Sequence, residues 1–424
     1  MKPKEPVMRN PTLLALVALL SGAAASAQPA TVAPLRETTP QASASGGAVE
    51  DVALWVNPAD AGASLLLTAQ GSAGLITFGV DGQQVDAELA DGPTVSVSAR
   101  DDFPLGGGNR TLVVTANSNF NGLTAYRVDP GGADRVLRIG APGAFAAGPF
   151  TAVALYRASS GSFYAFAGSQ NGRLEQFELT GADGGVTATP VRVLRTTGGA
   201  IEGIAADEET GLLFVTEAGQ GLWRYSAVPD GGTDRTQVSA LGGGQLSLTV
   251  GRVALYPASN GEGYLLVADT GADAFAVFER RSQAFIGTFR MVQDGGIDSV
   301  EAPAALAVSP RPVGPDFPEG LFAGHDGTNS PSPENLKLAS WGAVARAFDP
   351  ALRIETSQVT DGGADGGADA GADSGPPVRP PPNPPISGNG GDEGGGCSCA
   401  TASVPASAVL ALLALALAGR RRRS

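Results

Sequence analysis

Residues 49–82 read VEDVALWVNPADAGASLLLTAQGSAGLITFGVDG. Two carboxylates, Glu50 and Asp51, stand before an apolar run that includes Trp55. A polar turn follows, then LLLTAQ and LITFG, which are parted by a glycine-containing turn and end at Asp81-Gly82. Short runs of branched and aromatic residues between turn residues read as strands, because such side chains pack well on a pleated surface. The hairpin LLLTAQGSAGLITF (65–78) recurs as LVVTANSNFNGLTAY (112–126), SFYAFAGSQNGRLEQFEL (162–179), LLFVTEAGQGLWRYS (212–226) and YLLVADTGADAFAVFER (264–280). Its turn glycines, Gly74, Gly122, Gly172 and Gly221, lie 48, 50 and 49 residues apart, and Asp273 holds the matching place in the fifth hairpin.

A period of this length accommodates about four short strands with their turns, the content of one propeller blade. With GLFAGHDG (320–327) as a sixth hairpin, the pattern predicts an all-β, six-bladed β-propeller. The apolar runs are often continuous, as expected where neighbouring blades cover both faces of a strand. His325 and Asp326-Gly327 in the sixth hairpin read as turn residues, and Trp55, Trp223 and Trp341 as packing residues.

Composition narrows the chemistry. The 424 residues carry a formal charge of -14, which excludes a nucleic-acid partner, since phosphate backbones require a basic footprint. One histidine and two cysteines cannot build a zinc or copper centre in the body. Any chemistry there falls to carboxylates, amines or a hard cation bound through oxygen. No catalytic residue can be named from the sequence.

The two ends read as addresses. Residues 1–27 combine Lys2, Lys4 and Arg9, an apolar core at 13–20 and Ala25-Ser26-Ala27, the layout of a secretory signal peptide. Residues 361–396 are rich in Asp, Gly and Pro and have little to bury, so they are expected to form a solvated, disordered linker. Asp361, Asp365, Asp369 and Asp373 recur every four residues but lack the density and the closing Glu of a calcium loop. In 397–424, Cys397 and Cys399 precede an apolar span at 398–419 and then Arg420 to Arg423, so a membrane is the expected partner of this tail. The glycine-flanked Cys, apolar span and arginine cluster resemble the myxobacterial C-terminal sorting signal, which implies an exported protein anchored at the cell surface. A plain transmembrane anchor would leave the body on the same side.

The body, expected over 37–358, resembles the β-propeller phytases, calcium-dependent enzymes that hydrolyse inositol hexakisphosphate. The resemblance is carried by EDVALWVNP (50–58), DDFPLGG (101–107), GRLEQFEL (172–179), IEGIAADEETGLLFVTE (201–217), LWRYSAVPDGG (222–232), NGEGYLLVADTG (260–271), FPEGLFAGHDG (317–327) and NLKLASW (335–341). It implies calcium as cofactor, an inositol phosphate or another small anion bound through that calcium, and a monomer. By matching motif it implies metal ligation by Glu37, Glu50, Asp51, Glu202, Glu217 and Asp298.

The departures from that pattern are as informative. Gly71 and Ser72 stand where the family keeps phosphate-contacting lysines, Phe120 replaces an arginine, Gln170 a lysine and Thr151 a tyrosine. Thr249-Val250-Gly251-Arg252 replaces an Asp-x-Glu-Gly motif, and Ala218 and Ala304 replace further acids. These losses favour a phytase-like hydrolase of weak or lost activity. The alternative is a non-catalytic propeller that binds a ligand or serves as a scaffold on the cell surface.

Overall fold

A computed structural model describes residues 28–40, 49–182, 184–329 and 332–355. It is a six-bladed β-propeller, with one sheet per blade. The inner strands are Val49–Trp55, Thr94–Leu105, Phe150–Arg157, Ile201–Asp207, Val253–Pro257 and Leu306–Ser309, each packed on the next and the last on the first. The signal peptide, the linker and the C-terminal span expected from the sequence lie outside the described residues. Among the described residues no helix is long and apolar enough to cross a membrane.

Each blade is an antiparallel meander, and in most blades the second strand is the most deeply buried. Leu65–Gln70 and Phe163–Ser169 are buried at every position, because adjacent blades cover both their faces. The outer strand Gln84–Glu88 alternates with solvent instead. The apolar core is accordingly split into six clusters, one at each blade interface. Each large apolar side chain buried there contributes about 1.5–3 kcal/mol. Trp341 illustrates this role: it stacks on Tyr256 at 4.1 Å between blades 5 and 6, fully buried.

The recurrent turn glycines have a steric cause. A Cβ on Gly74 would lie 2.5 Å from the Glu88 carbonyl oxygen, and one on Gly221 would lie 2.1 Å from that of Ser239. The outer strand passes too close to the hairpin for any side chain. In the fifth hairpin Asp273 takes the left-handed conformation itself, φ 50°, and its carboxylate accepts the Ala302 N–H.

The ring closes through the N-terminus. Arg36–Glu37 forms the outer strand of blade 6, pairing antiparallel with Asn335–Ser340 and setting Glu37 opposite Lys337. Further upstream, ahead of the expected boundary at residue 37, Ala30–Val32 adds a parallel fifth strand to blade 5. The structure also corrects the reading of His325 and Asp326 as turn residues. Both belong to the strand Leu321–Asp326 and are buried, because the chain does not turn until Gly327.

Candidate functional site

All six inner strands run the same way, so their starts converge at one mouth of the channel. In blades 1 to 4 the register slips by one residue at the equivalent place, leaving Glu50, Val95, Thr151 and Glu202 each at a bulge. Bulges re-aim the backbone locally. Here the four carbonyls face the side chain of Arg252, which precedes the inner strand of blade 5. Nε donates to Glu50 O at 3.2 Å, Nη1 to Thr151 O at 3.0 Å and to Glu202 O, and Nη2 to Val95 O.

The Glu50 and Glu202 side chains are half-buried at this mouth. Burial pushes both carboxyls above the ordinary glutamate range, and the Arg252 charge only partly opposes the rise. The charge of Glu50 adds to the rise at Glu202. Asp51 lies 3.6 Å from Arg252 Nε, but its oxygens are taken by protein donors: Val52 N–H at 2.9 Å, Ser96 Oγ at 2.6 Å and Val97 N–H at 3.2 Å. Asp51 therefore ties blade 1 to blade 2.

A second cluster forms at the seam between the N-terminal strand and blade 6. The fully buried Lys337 places Nζ 2.7 Å from Glu37 Oε2, 3.2 Å from Asn329 Oδ1 and 3.4 Å from Asp326 Oδ2, and it also pairs with Asp298. Burial alone would lower the lysine; its bonds to Asp298 and Glu37 outweigh it, so the ammonium keeps its proton. Two buried acceptors in this cluster, Asp326 Oδ2 and Asn335 Oδ1, have no hydrogen-bond partner. Three carboxylates share one ammonium, and burial pushes the Asp326 carboxyl above the ordinary aspartate range. Among the described residues no group of three or more His, Cys, Asp or Glu closes to metal-ligand spacing on its own. Here the lysine ammonium sits among the carboxylates.

His325 is held between two partners near these clusters. Its Nδ1 accepts the Ala304 N–H at 3.2 Å, which leaves the proton on Nε2 to be donated to Glu334 Oε2 at 3.1 Å. Both ring nitrogens are thereby engaged, and Glu334 also accepts the Val49 N–H at 2.9 Å.

Of the six acids expected as metal ligands, Glu37 and Asp298 meet at Lys337, and Glu50, Asp51 and Glu202 gather around Arg252. Glu217 joins neither group. It is fully buried and accepts from Thr197 N–H at 2.8 Å, Gly199 N–H at 3.0 Å, Arg235 Nη1 at 2.6 Å and the Thr197 hydroxyl. Burial would raise its carboxyl, but these donors win and hold it below the ordinary range. At the substituted positions, Gly71 packs its backbone against the Glu50 carboxylate, and Phe120 lies under the Arg138 guanidinium, which Asp91 neutralises.

The chain matches the Phytase family over residues 8–361. It belongs to the phytase family. It is also 29% identical over 322 residues to the 3-phytase of Bacillus subtilis (strain 168), covering 73% of this chain and 83% of that protein. Family and relative together support phytase-like hydrolysis, and the propeller of this phytase-family chain is the expected fold.

Reading the residues one by one missed Lys337, Asp326, Asn329, Asn335 and Arg252. One signal was available. Lys337 is the only lysine after Lys4, and it stands between Leu336 and Leu338 on a buried strand. A lone cation in such a place requires acidic partners.

Proposed function

We propose that this chain is an exported, surface-tethered phosphomonoesterase that uses calcium to hydrolyse inositol hexakisphosphate at the mouth of its propeller. The observation that carries this reading is the oxygen-rich cluster at the ring seam. Its acceptors are all hard oxygens, two of them buried without a hydrogen bond, although Asp326 Oδ2 also faces the Lys337 ammonium at 3.4 Å, and its three carboxylates outnumber that single cation. Glu37, Asp298 and Asp326, which are gathered around the Lys337 ammonium, would have to close on the calcium from there, with the amide oxygens of Asn329 and Asn335 completing the set. When bound, calcium offsets phosphate charge and activates water.

The remaining work falls to side chains of the channel mouth. Glu202 and Glu50 hold a proton at higher pH than an ordinary glutamate, which suits a group that protonates the departing inositol oxygen. With the lysines and arginine of the family pattern replaced, the mouth has few direct partners for phosphate, so turnover is expected to be slow. Export and tethering are supported by the composition of residues 1–27 and 397–424.

The test is phosphate release from calcium-loaded inositol hexakisphosphate by the purified full-length protein. Release should require calcium, vanish in Asp298→Asn, and fall as pH rises through the Glu202 titration, a limb that Glu202→Gln abolishes. No calcium-dependent release would leave the non-catalytic binding reading standing. Protease treatment of intact cells that fails to free the body would refute surface tethering.

A further inference from the structure

The neck of the channel is built like a cation site, and a side chain fills it. Four backbone carbonyls from four different blades, those of Glu50, Val95, Thr151 and Glu202, point at one guanidinium. Each belongs to a bulged residue at the start of an inner strand, so the same local distortion is repeated to produce the ring. The backbone N–H of Arg252 adds a bond to Ala304 O at 2.8 Å, ahead of the inner strand of blade 6. Its own carbonyl accepts the Ala268 N–H within blade 5 at 3.0 Å. One residue is thus bonded to every blade. Three carboxylates, Glu50, Asp51 and Glu202, surround it.

A ring of carbonyls backed by carboxylates is the donor set that hard cations take in place of water. We propose that Arg252 is the resident cation of the channel neck, filling an oxygen site that would otherwise bind a divalent ion. The guanidinium suits the position for geometric reasons. Four of its five N–H groups are used on carbonyls that diverge in direction, which the three donors of a lysine cannot reproduce. The side chain supplies its charge without a bound ion, so the neck stays filled whatever the calcium level. Behind it lies a void of about 170 Å³ bordered by Val52, Val153 and Leu306 and also by Asp51, Ser98 and Arg252 itself.

The inference rests on the calcium reading of the seam cluster only for its baseline. Calcium is titrated calorimetrically into chelator-treated full-length protein, comparing wild type with Arg252→Gln, Arg252→Ala and Arg252→Lys. The glutamine and alanine variants should each bind one calcium more than wild type and become more stable when it is added. The lysine variant, which keeps the charge, should show no increment. A glutamine or alanine variant that folds only in calcium also supports the proposal. No increment in either variant overturns it, as does failure of both to fold with calcium present. Adding Asp298→Asn separates the two ideas: it removes the wild-type baseline if the seam binds calcium and leaves the Arg252-dependent increment intact. A wild type that binds no calcium beside a glutamine variant that binds one would sink the seam reading and keep this one.

Discussion

The two mouths of the propeller are both lined with charge, yet they handle it in opposite ways. At the ends of the inner strands a cavity of about 740 Å³ is bordered by Arg100, Arg157, Arg280, Asp207, Glu208 and Glu209. There each acid meets an arginine. Asp207 is fully buried and forked to Arg280, with Nε at 2.7 Å; Glu209 lies 3.0 Å from the same guanidinium; Glu208 pairs with Arg100 and accepts the Arg157 N–H at 2.8 Å. At the starts of the same strands the carboxylates outnumber the cations. Glu50, Asp51 and Glu202 share Arg252, and Glu37, Asp298 and Asp326 share Lys337. The paired end is architecture, because its charges are satisfied within the protein. The unpaired end retains negative charge and free acceptor oxygens, which gives it the capacity to bind a cation.

That contrast is most exposed to substitution at the paired end. Asp207→Asn leaves Arg280 buried without its main counter-ion and should cost about 3–5 kcal/mol of stability in urea denaturation. Phosphate release per folded molecule should not change. A cost below about 1 kcal/mol, the range of a surface pair, would break the distinction between the two mouths.

The next largest effect concerns calcium. At a hundredfold excess over its Kd, calcium should stabilise the wild type by about 2.7 kcal/mol, measured as a shift in unfolding midpoint. Asp326→Asn should lose that shift. If the variant keeps it, the cation is bound elsewhere.

Glu217→Gln sharpens the comparison from within the unpaired end, since Glu217 lies on that side but is saturated by donors. It should cost about 1.5–3 kcal/mol, the worth of a hydrogen bond to a charged group. Calcium stoichiometry should stay at the wild-type value, and a lost ion would return Glu217 to the ligand set.

The smallest effect is a pH dependence. Glu202 titrates above the ordinary 4.5 in the folded protein because burial disfavours its charge. A raised acid stabilises the fold while protonated; that contribution is complete below the unfolded value and is lost as pH rises through the folded one. Glu202→Gln should therefore melt higher than wild type at pH 7, with the advantage fading as pH falls from the raised folded value toward about 4.5 and absent below it. An advantage that grows on acidification would show that Glu202 is stabilised as the anion.

Much of the fold was legible because its signals are local. The hairpin repeat follows from strand residues and from turn glycines whose Cβ would strike the neighbouring strand, and both are written in consecutive residues. The candidate site was legible only by its acids. Glu50 and Glu202 could be placed at strand starts, but nothing nearby in the chain distinguishes them from Glu217, whose donors come from Thr197, Gly199 and Arg235. His325 and Asp326 looked like turn residues because GHDG has turn composition, whereas the strand continues through both and the turn begins one residue later.

By itself the sequence determined the strand repeat, the all-β class and the acidic, cation-seeking character of the chain. These depend on residue type and short spacing. Only the tertiary structure decided which acids share a cation. Glu37 and Lys337 stand 300 positions apart and meet because the N-terminal strand closes the ring. Arg252 meets Glu50 across 202 positions through a backbone carbonyl that a bulge exposes. Ring closure and carbonyl direction are properties of packing between blades, and no local pattern of side chains records them.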